Sequence, residues 1–206
     1  MYRKNGDAES FRFAEPPLLV SRQSGSASRK TDGVILRSAE PGDETAIAEV
    51  HVLAWQATYR GMIPDAHLDG LSVPKRRDIW RELIVELEPP VHGAFVALDG
   101  SRLVGFAHFC PSRDRDADPD VGEITAIYVH PDLWGKGIGR RLMRRAVDSL
   151  EEAGLSTATL WVLDVNARAR KFYEQAGWMT DGATKEDQRD GFTLHEVRYA
   201  TGLRAQ

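Results

Sequence analysis

The chain holds a single cysteine, Cys110. That excludes an intramolecular disulfide framework and a Cys-rich zinc site. No apolar run approaches the ~20 residues needed to cross a bilayer, and the opening stretch MYRKNGDAESFRF lacks a signal-type apolar region. Positive charge is not in excess: 27 Lys and Arg against 31 Asp and Glu give a formal charge of −4. Such a chain has no general electrostatic reason to bind nucleic acid. His51, His67, His92, His108, His130 and His195 show neither H-x-x-x-H nor H-E-x-x-H spacing, so no metal is assigned. No internal repeat is visible. These absences predict a soluble, cytoplasmic protein without a metal, membrane or nucleic-acid partner. What is present is 42% hydrophobic residues in 206, enough for one sizeable core.

Residues 1–33 differ from the rest. Ser21–Gly33 is small, polar and aperiodic, and reads as a flexible extension. The short apolar patch Pro16–Val20 before it is too small for a core but suits docking on the domain or on a partner. Regular patterning predicts a single domain over 34–203. Val34–Arg37 reads as a strand, and Asp43–Tyr59 as a helix with Ile47, Val50, Ala54 and Ala57 inward. Val73–Leu87 reads as a second helix, with Ile79, Leu83 and Ile84 inward. Ala94–Leu98 and Arg102–Phe109 flank Asp99-Gly100, a hairpin signal because the tight turn needs positive φ. Ser112–Asp120 reads as a solvated charged loop, and Glu123–Val129 as a strand rich in β-formers. A strand–helix–strand–helix half follows: an amphipathic helix over Gly137–Ala153, a strand over Thr157–Leu163 and a helix over Asn166–Ala176. Strands near Trp178–Thr180 and Thr193–Tyr199 close the chain. The expected fold is α/β (α+β): a mixed, mostly antiparallel central sheet with helices on both faces.

The most informative segment is Ile127–Leu142, IYVHPDLWGKGIGRRL. Gly135, Gly137 and Gly139 lie between a strand and an arginine-bearing helix. Glycines let backbone N–H groups approach a phosphate, and a helix start presents unpaired donors. Lys136, Arg140 and Arg141 add positive charge at the mouth. The Walker pattern G-x-x-x-x-G-K-[ST] is absent. The dinucleotide pattern G-x-G-x-x-G fails too, since its third glycine falls on Arg140 or Leu142.

The segment resembles the GNAT superfamily of acyl-CoA-dependent N-acetyltransferases. That family's pyrophosphate motif, [Q/R]-x-x-G-x-[G/A], corresponds here to Trp134-Gly135-Lys136-Gly137-Ile138-Gly139. The two glycines match. Trp134 stands where the family has Gln or Arg, which leaves the backbone donors unaffected. LWVLDVNARARKFYEQAGW (Leu160–Trp178) is similar to the family's strand, Asn, Phe-Tyr helix and Gly-aromatic run.

The resemblance implies acetyl-CoA as co-substrate and no metal. The loop 134–139 and Arg140 would hold the pyrophosphate. Backbone groups of Ile127 and Val129 would bind the pantetheine amides like an added strand, and N–H groups near Ile127–Tyr128 would face the oxyanion. Asn166 and Tyr173 are seven apart and share a helix face, with small Ala169 between them and Phe172 beside Tyr173. By resemblance Asn166 contacts the coenzyme and Tyr173 protonates the leaving sulfur. A thiol titrates near ~8.5 and a phenol near ~10, so that transfer is only mildly uphill. On local pattern alone, Asn166 is equally a helix N-cap and Tyr173 an edge-of-core aromatic. Glu123 falls where related histone acetyltransferases have a catalytic glutamate; strict alternation would put it on one strand face with Thr125, Ile127 and Val129. Trp55, Tyr59 and Arg60 fall where the family walls its acceptor pocket, although Trp55 also suits a core. Cys110 reads as a small buried hydrophobe rather than a nucleophile.

The expected activity is transfer of an acetyl group to an amine on a small molecule or peptide, by direct attack in a ternary complex. A non-catalytic acyl-CoA-binding regulatory module is the alternative, and a docking role for 1–33 a third reading. Acceptor identity stays open, and so does oligomeric state, with which a homodimer is compatible.

Overall fold

A computed structural model describes residues 33–189 and 191–204. The expected extension over 1–32 and its docking patch lie outside the described residues. In order, the elements are β1 (Val34–Ser38), α1 (Glu44–Tyr59), α2 (Asp65–Asp69), α3 (Val73–Val85), β2 (Gly93–Asp99), β3 (Arg102–Pro111) and β4 (Val121–Val129). They continue with α4 (Ile138–Glu152), β5 (Thr157–Leu163), α5 (Ala167–Gln175), β6 (Met179–Arg189) and β7 (Phe192–Gly202).

The strands form one seven-stranded sheet in the order β1-β2-β3-β4-β5-β7-β6. Every neighbouring pair is antiparallel except β4 and β5. The Asp99↔Arg102 pair closes the expected hairpin around Gly100, at φ 62°. β6 and β7 run well beyond the two short strands read from the sequence. The polar residues of 181–189 conceal a strand because only one side of this edge hairpin packs. α2 is also additional; five residues give too little periodicity to read.

Two cores flank the sheet. On one face Ile138, Leu142, Met143, Ala146 and Leu150 of α4 meet Ile124, Ile127, Val129, Leu160 and Val162. Arg140, Arg141 and Arg144 stay exposed, as the amphipathic pattern requires. On the other face α1 and α3 bring Ile47, Val50, Ala54, Leu83 and Ile84 against Val96, Phe106 and Tyr128. Two inward assignments change: Ala57 is exposed and Ile79 only half-buried, while Trp80 takes the interior place. Trp80 Nε1 donates to His51 Nδ1 at 3.2 Å, so the indole is buried without an unmet donor.

One irregularity sets the facing of β4. The β3–β4 register shifts between His108↔Ala126 and Phe109↔Ile124. This bulge places Thr125 and Ala126 both toward the α1 side. The single face expected for Glu123, Thr125, Ile127 and Val129 is therefore broken: Ile127 and Val129 belong to the α4-side core, while Ala126 and Tyr128 belong to the other. An added residue in one strand reverses the facing of all that follows.

β3 and β4 tolerate little intrusion near the far end of β4. A Cβ on Gly105 would lie 2.9 Å from the Tyr128 carbonyl oxygen and 3.1 Å from Val129 Cγ2. Backbone cannot swing aside as a side chain does. Gly105→Ala is expected to cost about 1–3 kcal/mol, lowering Tm by roughly 2–10 °C in a thermal melt of the full chain.

Candidate active site

β4 and β5 pair through only three residues, Val121↔Thr157, Gly122↔Ala158 and Glu123↔Thr159. Beyond that point β4 stays with β3 as far as Val129↔Gly105, and β5 stays with β7 as far as Leu163↔Glu196. The sheet thus splits into a cleft, closed at Glu123 and open toward the glycine loop. The His130 N–H donates to Val104 O at 2.8 Å, so at this end of β4 the backbone of Tyr128 faces β3 and that of Ile127 and Val129 faces the cleft. Val129 O accepts from Trp134 Nε1 at 2.7 Å. Ile127 therefore presents N–H and C=O to the cleft, and Val129 its N–H. Tyr128 contributes a ring instead, 4.8 Å from His51, with its hydroxyl buried and unbonded.

At the mouth, Gly135 and Gly137 adopt φ of 75° and 79°, a region that penalises any side chain. Gly137 caps α4 without a side-chain hydrogen bond, so the first N–H groups of that helix point out as donors. They open on a cavity of about 440 Å³ lined by Gly135, Gly137, Ile138, Gly139, Arg140 and Phe172, and also by Leu133, Arg168, Lys171 and Gln175. Six expected residues thus gather here. Lys136, exposed, and Trp134, half-buried, are outside this lining. Ile127, Tyr128, Val129, Asn166 and Ala169 also lie outside it, deeper in the fold and buried.

Asn166 is an N-cap: its Oδ1 accepts from Ala169 N at 3.1 Å, while Nδ2, buried, has no hydrogen-bond partner among the described residues. Ala169 and Tyr173 follow on the same buried stripe, each 1% exposed. The Tyr173 ring packs against Phe172, Trp178 and Tyr199.

At the closed end, Glu123 is 2% exposed and bound by Arg113: Nη2 to Oε1 at 2.5 Å, Nε to Oε2 at 3.0 Å and backbone N to Oε2 at 3.1 Å. Burial pushes its pKa up, but Arg113 outweighs burial and holds it below the ordinary value. Three Arg113 donors fill most of the roughly four acceptor sites of a carboxylate. Asp114, beside Arg113, accepts from Trp161 Nε1 at 3.1 Å and from Arg198 Nη1 at 2.9 Å. The 112–120 stretch is thus a strap between β4, β5 and β7, not merely a solvated loop. Sequence separations of 47 and 84 residues hide such contacts from any local pattern.

Glu196 on β7 is a second carboxylate on this face, missed by the sequence reading because it sits in an alternating strand like any other. It is 1% exposed. Lys185 Nζ lies 3.3 Å from Oε2, yet neither oxygen has hydrogen-bond geometry with any donor. Burial wins here and raises its pKa. Lys185 also sits 4.2 Å over the Trp161 ring.

The expected acceptor wall changes character. Trp55 and Tyr59 are 7% and 1% exposed and pack edge to face, 5.0 Å apart, in the α1-side core. Arg60 is outside, paired with Asp65 and Asp69. These residues fix the α1–α2 connection. The Cys110 thiol is buried and its pKa is pushed up to about 12, which keeps it protonated and unreactive.

The mixed sheet thus splits toward a cavity lined by glycines and cations. The acetyltransferase (GNAT) family model matches residues 55–178. YuaI of Bacillus subtilis, described as an uncharacterised N-acetyltransferase, is 34% identical over 134 residues, 65% of this chain and 73% of that protein. An uncharacterised N-acetyltransferase of Archaeoglobus fulgidus is 31% identical over 140 residues, 67% and 88% of the two chains. Among solved structures, the PaiA N-acetyltransferase of Thermoplasma acidophilum in complex with coenzyme A superposes with a TM-score of 0.63, at 20% identity, over 82% of this chain and 98% of that one. The Salmonella typhimurium YncA structure with its cofactor acetyl-CoA gives 0.64, at 20% identity, over 85% and 96%. The chain belongs to the GNAT acetyltransferase family, and by class it is an acyltransferase.

The two carboxylates carry opposite pH signatures. Glu123 has a folded pKa below the ordinary 4.5, so its stabilisation is present above that value and lost as pH falls through the folded pKa. Glu196 has a raised pKa, so its contribution is complete below 4.5 and lost as pH rises through the folded value. In urea titrations from about pH 4 to 8, Glu123→Gln should lose most against the wild type at neutral pH, with the gap narrowing in acid. Glu196→Gln should instead improve relative to the wild type as pH rises.

Proposed function

We propose that the protein transfers an acetyl group from acetyl-CoA to the primary amine of a small-molecule or peptide acceptor. The observation that carries this reading is the parting of β4 and β5 into a cleft that ends on the glycine-lined cavity. An extended chain bearing amides at one end and a diphosphate at the other matches that shape. The pantetheine arm adds as a strand to Ile127 and Val129, Asn166 Nδ2 offers the remaining donor, and the α4 amino-terminal amides take the pyrophosphate.

In the ternary complex the amine lone pair attacks the thioester carbonyl carbon. The Ile127 N–H faces the oxygen on which negative charge develops. The C–S bond breaks, Tyr173 protonates the departing sulfur, and the phenol recovers its proton from solvent. The amine's proton passes to Glu123, directly or through a water, at the acceptor site that Arg113 leaves open. A carboxylate held this low is a weak base, so the fraction of acceptor already deprotonated controls the rate. Much of the acceleration comes from orientation of the two substrates.

The first test is calorimetry with coenzyme A, together with thiol release from acetyl-CoA across a panel of amines. Saturable binding and amine-dependent release are expected; no heat of binding would overturn the reading. Tyr173→Phe should lower kcat by about 10²-fold or more with coenzyme Kd within about twofold of the wild type. Unchanged kcat would remove Tyr173 as the acid. With a working acceptor, kcat/KM should climb with pH through the amine's own pKa. A plateau reached at carboxylate pH would contradict the weak-base assignment.

A further inference from the structure

Trp134 occupies the position at which a Gln or Arg was expected, and the structure shows what replaces that side chain. The indole Nε1 is fixed on Val129 O, which anchors the half-buried ring at the end of β4, itself outside the cavity lining. The Arg168 guanidinium, from the first turn of α5, lies over that ring with its carbon 4.0 Å from the centroid. Arg168 Nε and Nη2 are buried and have no hydrogen-bond partner, and no carboxylate pairs with this arginine among the described residues. Burial lowers its pKa to about 10, which still leaves it charged at neutral pH. Its side chain lines the cavity beside Gly137, Gly139, Arg140 and Lys171.

A buried charged donor left unbonded opposes folding. One face of the guanidinium is spent on the indole, where cation and ring attract. The N–H edge remains, and the glycine amides, Arg140 and Lys171 in the same lining favour an anion there over a neutral or cationic group. Guanidinium forks match phosphate oxygens bidentately.

We propose that Arg168 is a direct ligand of the coenzyme's diphosphate, and that Trp134 is its positioning residue, so that α5 delivers across the groove the cation missing from the glycine loop's first position. The proposal rests on the cavity being the coenzyme site; wild-type binding of coenzyme A tests that separately.

The experiment is a calorimetric and ionic-strength series on the full chain with coenzyme A and with dephospho-coenzyme A, which keeps the diphosphate and lacks the 3′-phosphate. Arg168→Ala should weaken both ligands by about 10-fold or more and flatten the dependence of log Kd on log salt by about one contact. Arg168→Lys should fall between, keeping charge but losing the fork. Trp134→Ala should weaken binding less, and the Trp134→Ala/Arg168→Ala double variant should bind no worse than Arg168→Ala alone, because the indole acts through the guanidinium. Arg168→Met guards against a merely structural effect: removing an unbonded charge should leave the ligand-free Tm unchanged or raised while binding falls. Wild-type binding that Arg168→Ala and Arg168→Met leave unchanged would overturn the proposal. A loss confined to coenzyme A, with dephospho-coenzyme A unaffected, would overturn the diphosphate assignment. Equal weakening of both ligands with a lowered salt slope supports it. No binding by the wild type would instead refute the functional reading beneath it.

Discussion

The fold turns on a pairing that stops. β4 and β5 exchange ladder contacts over three residues and then separate, each held by its other neighbour. Backbone amides exposed along such a gap need partners, and an open strand edge accepts an extended chain. The β3–β4 bulge sharpens the arrangement by turning Tyr128 to one core and Ile127 to the other, so a single strand walls both the cleft and the α1 side. Without the split, the glycine loop would be a surface turn next to an ordinary sheet.

Charge is distributed around this gap with a consistent logic. At the closed end Arg113 binds Glu123 through three donors, and Asp114 ties Trp161 and Arg198 into the same strap. These ion pairs are buried or half-buried, so their value lies in fixing geometry more than in net stability. At the open end no carboxylate among the described residues pairs with the cations. The helix start, Arg140, Lys171 and the Arg168 guanidinium face one cavity with no acid among its lining residues.

The small, regularly spaced features were legible in the chain itself. The α4 stripe, the Gly100 hairpin, the loop Gly135–Gly139 and the seven-residue interval from Asn166 to Tyr173 all appear where the pattern put them, because each depends on neighbours within a turn or two. Asn166 shows the N-cap reading, with its Oδ1 capping the helix. Trp55 and Tyr59 satisfy the spacing of an exposed pocket lining and of a core equally, and only packing against α2 and the sheet distinguishes the two.

The sequence by itself determined most of the helices and strands, where the glycine loop meets α4, and which buried stripe carries the phenol, since periodicity, glycine and capping residues act over a few residues. The tertiary structure alone decided that β4 and β5 part, that a bulge reverses the facing of Ile127, that Arg113 neutralises Glu123, and that Arg168 crosses to Trp134. Those outcomes join residues from distant parts of the chain, or follow from a one-residue slip between strands. Close packing and the demand that buried charges and donors find partners select them, and neither leaves a mark in local order.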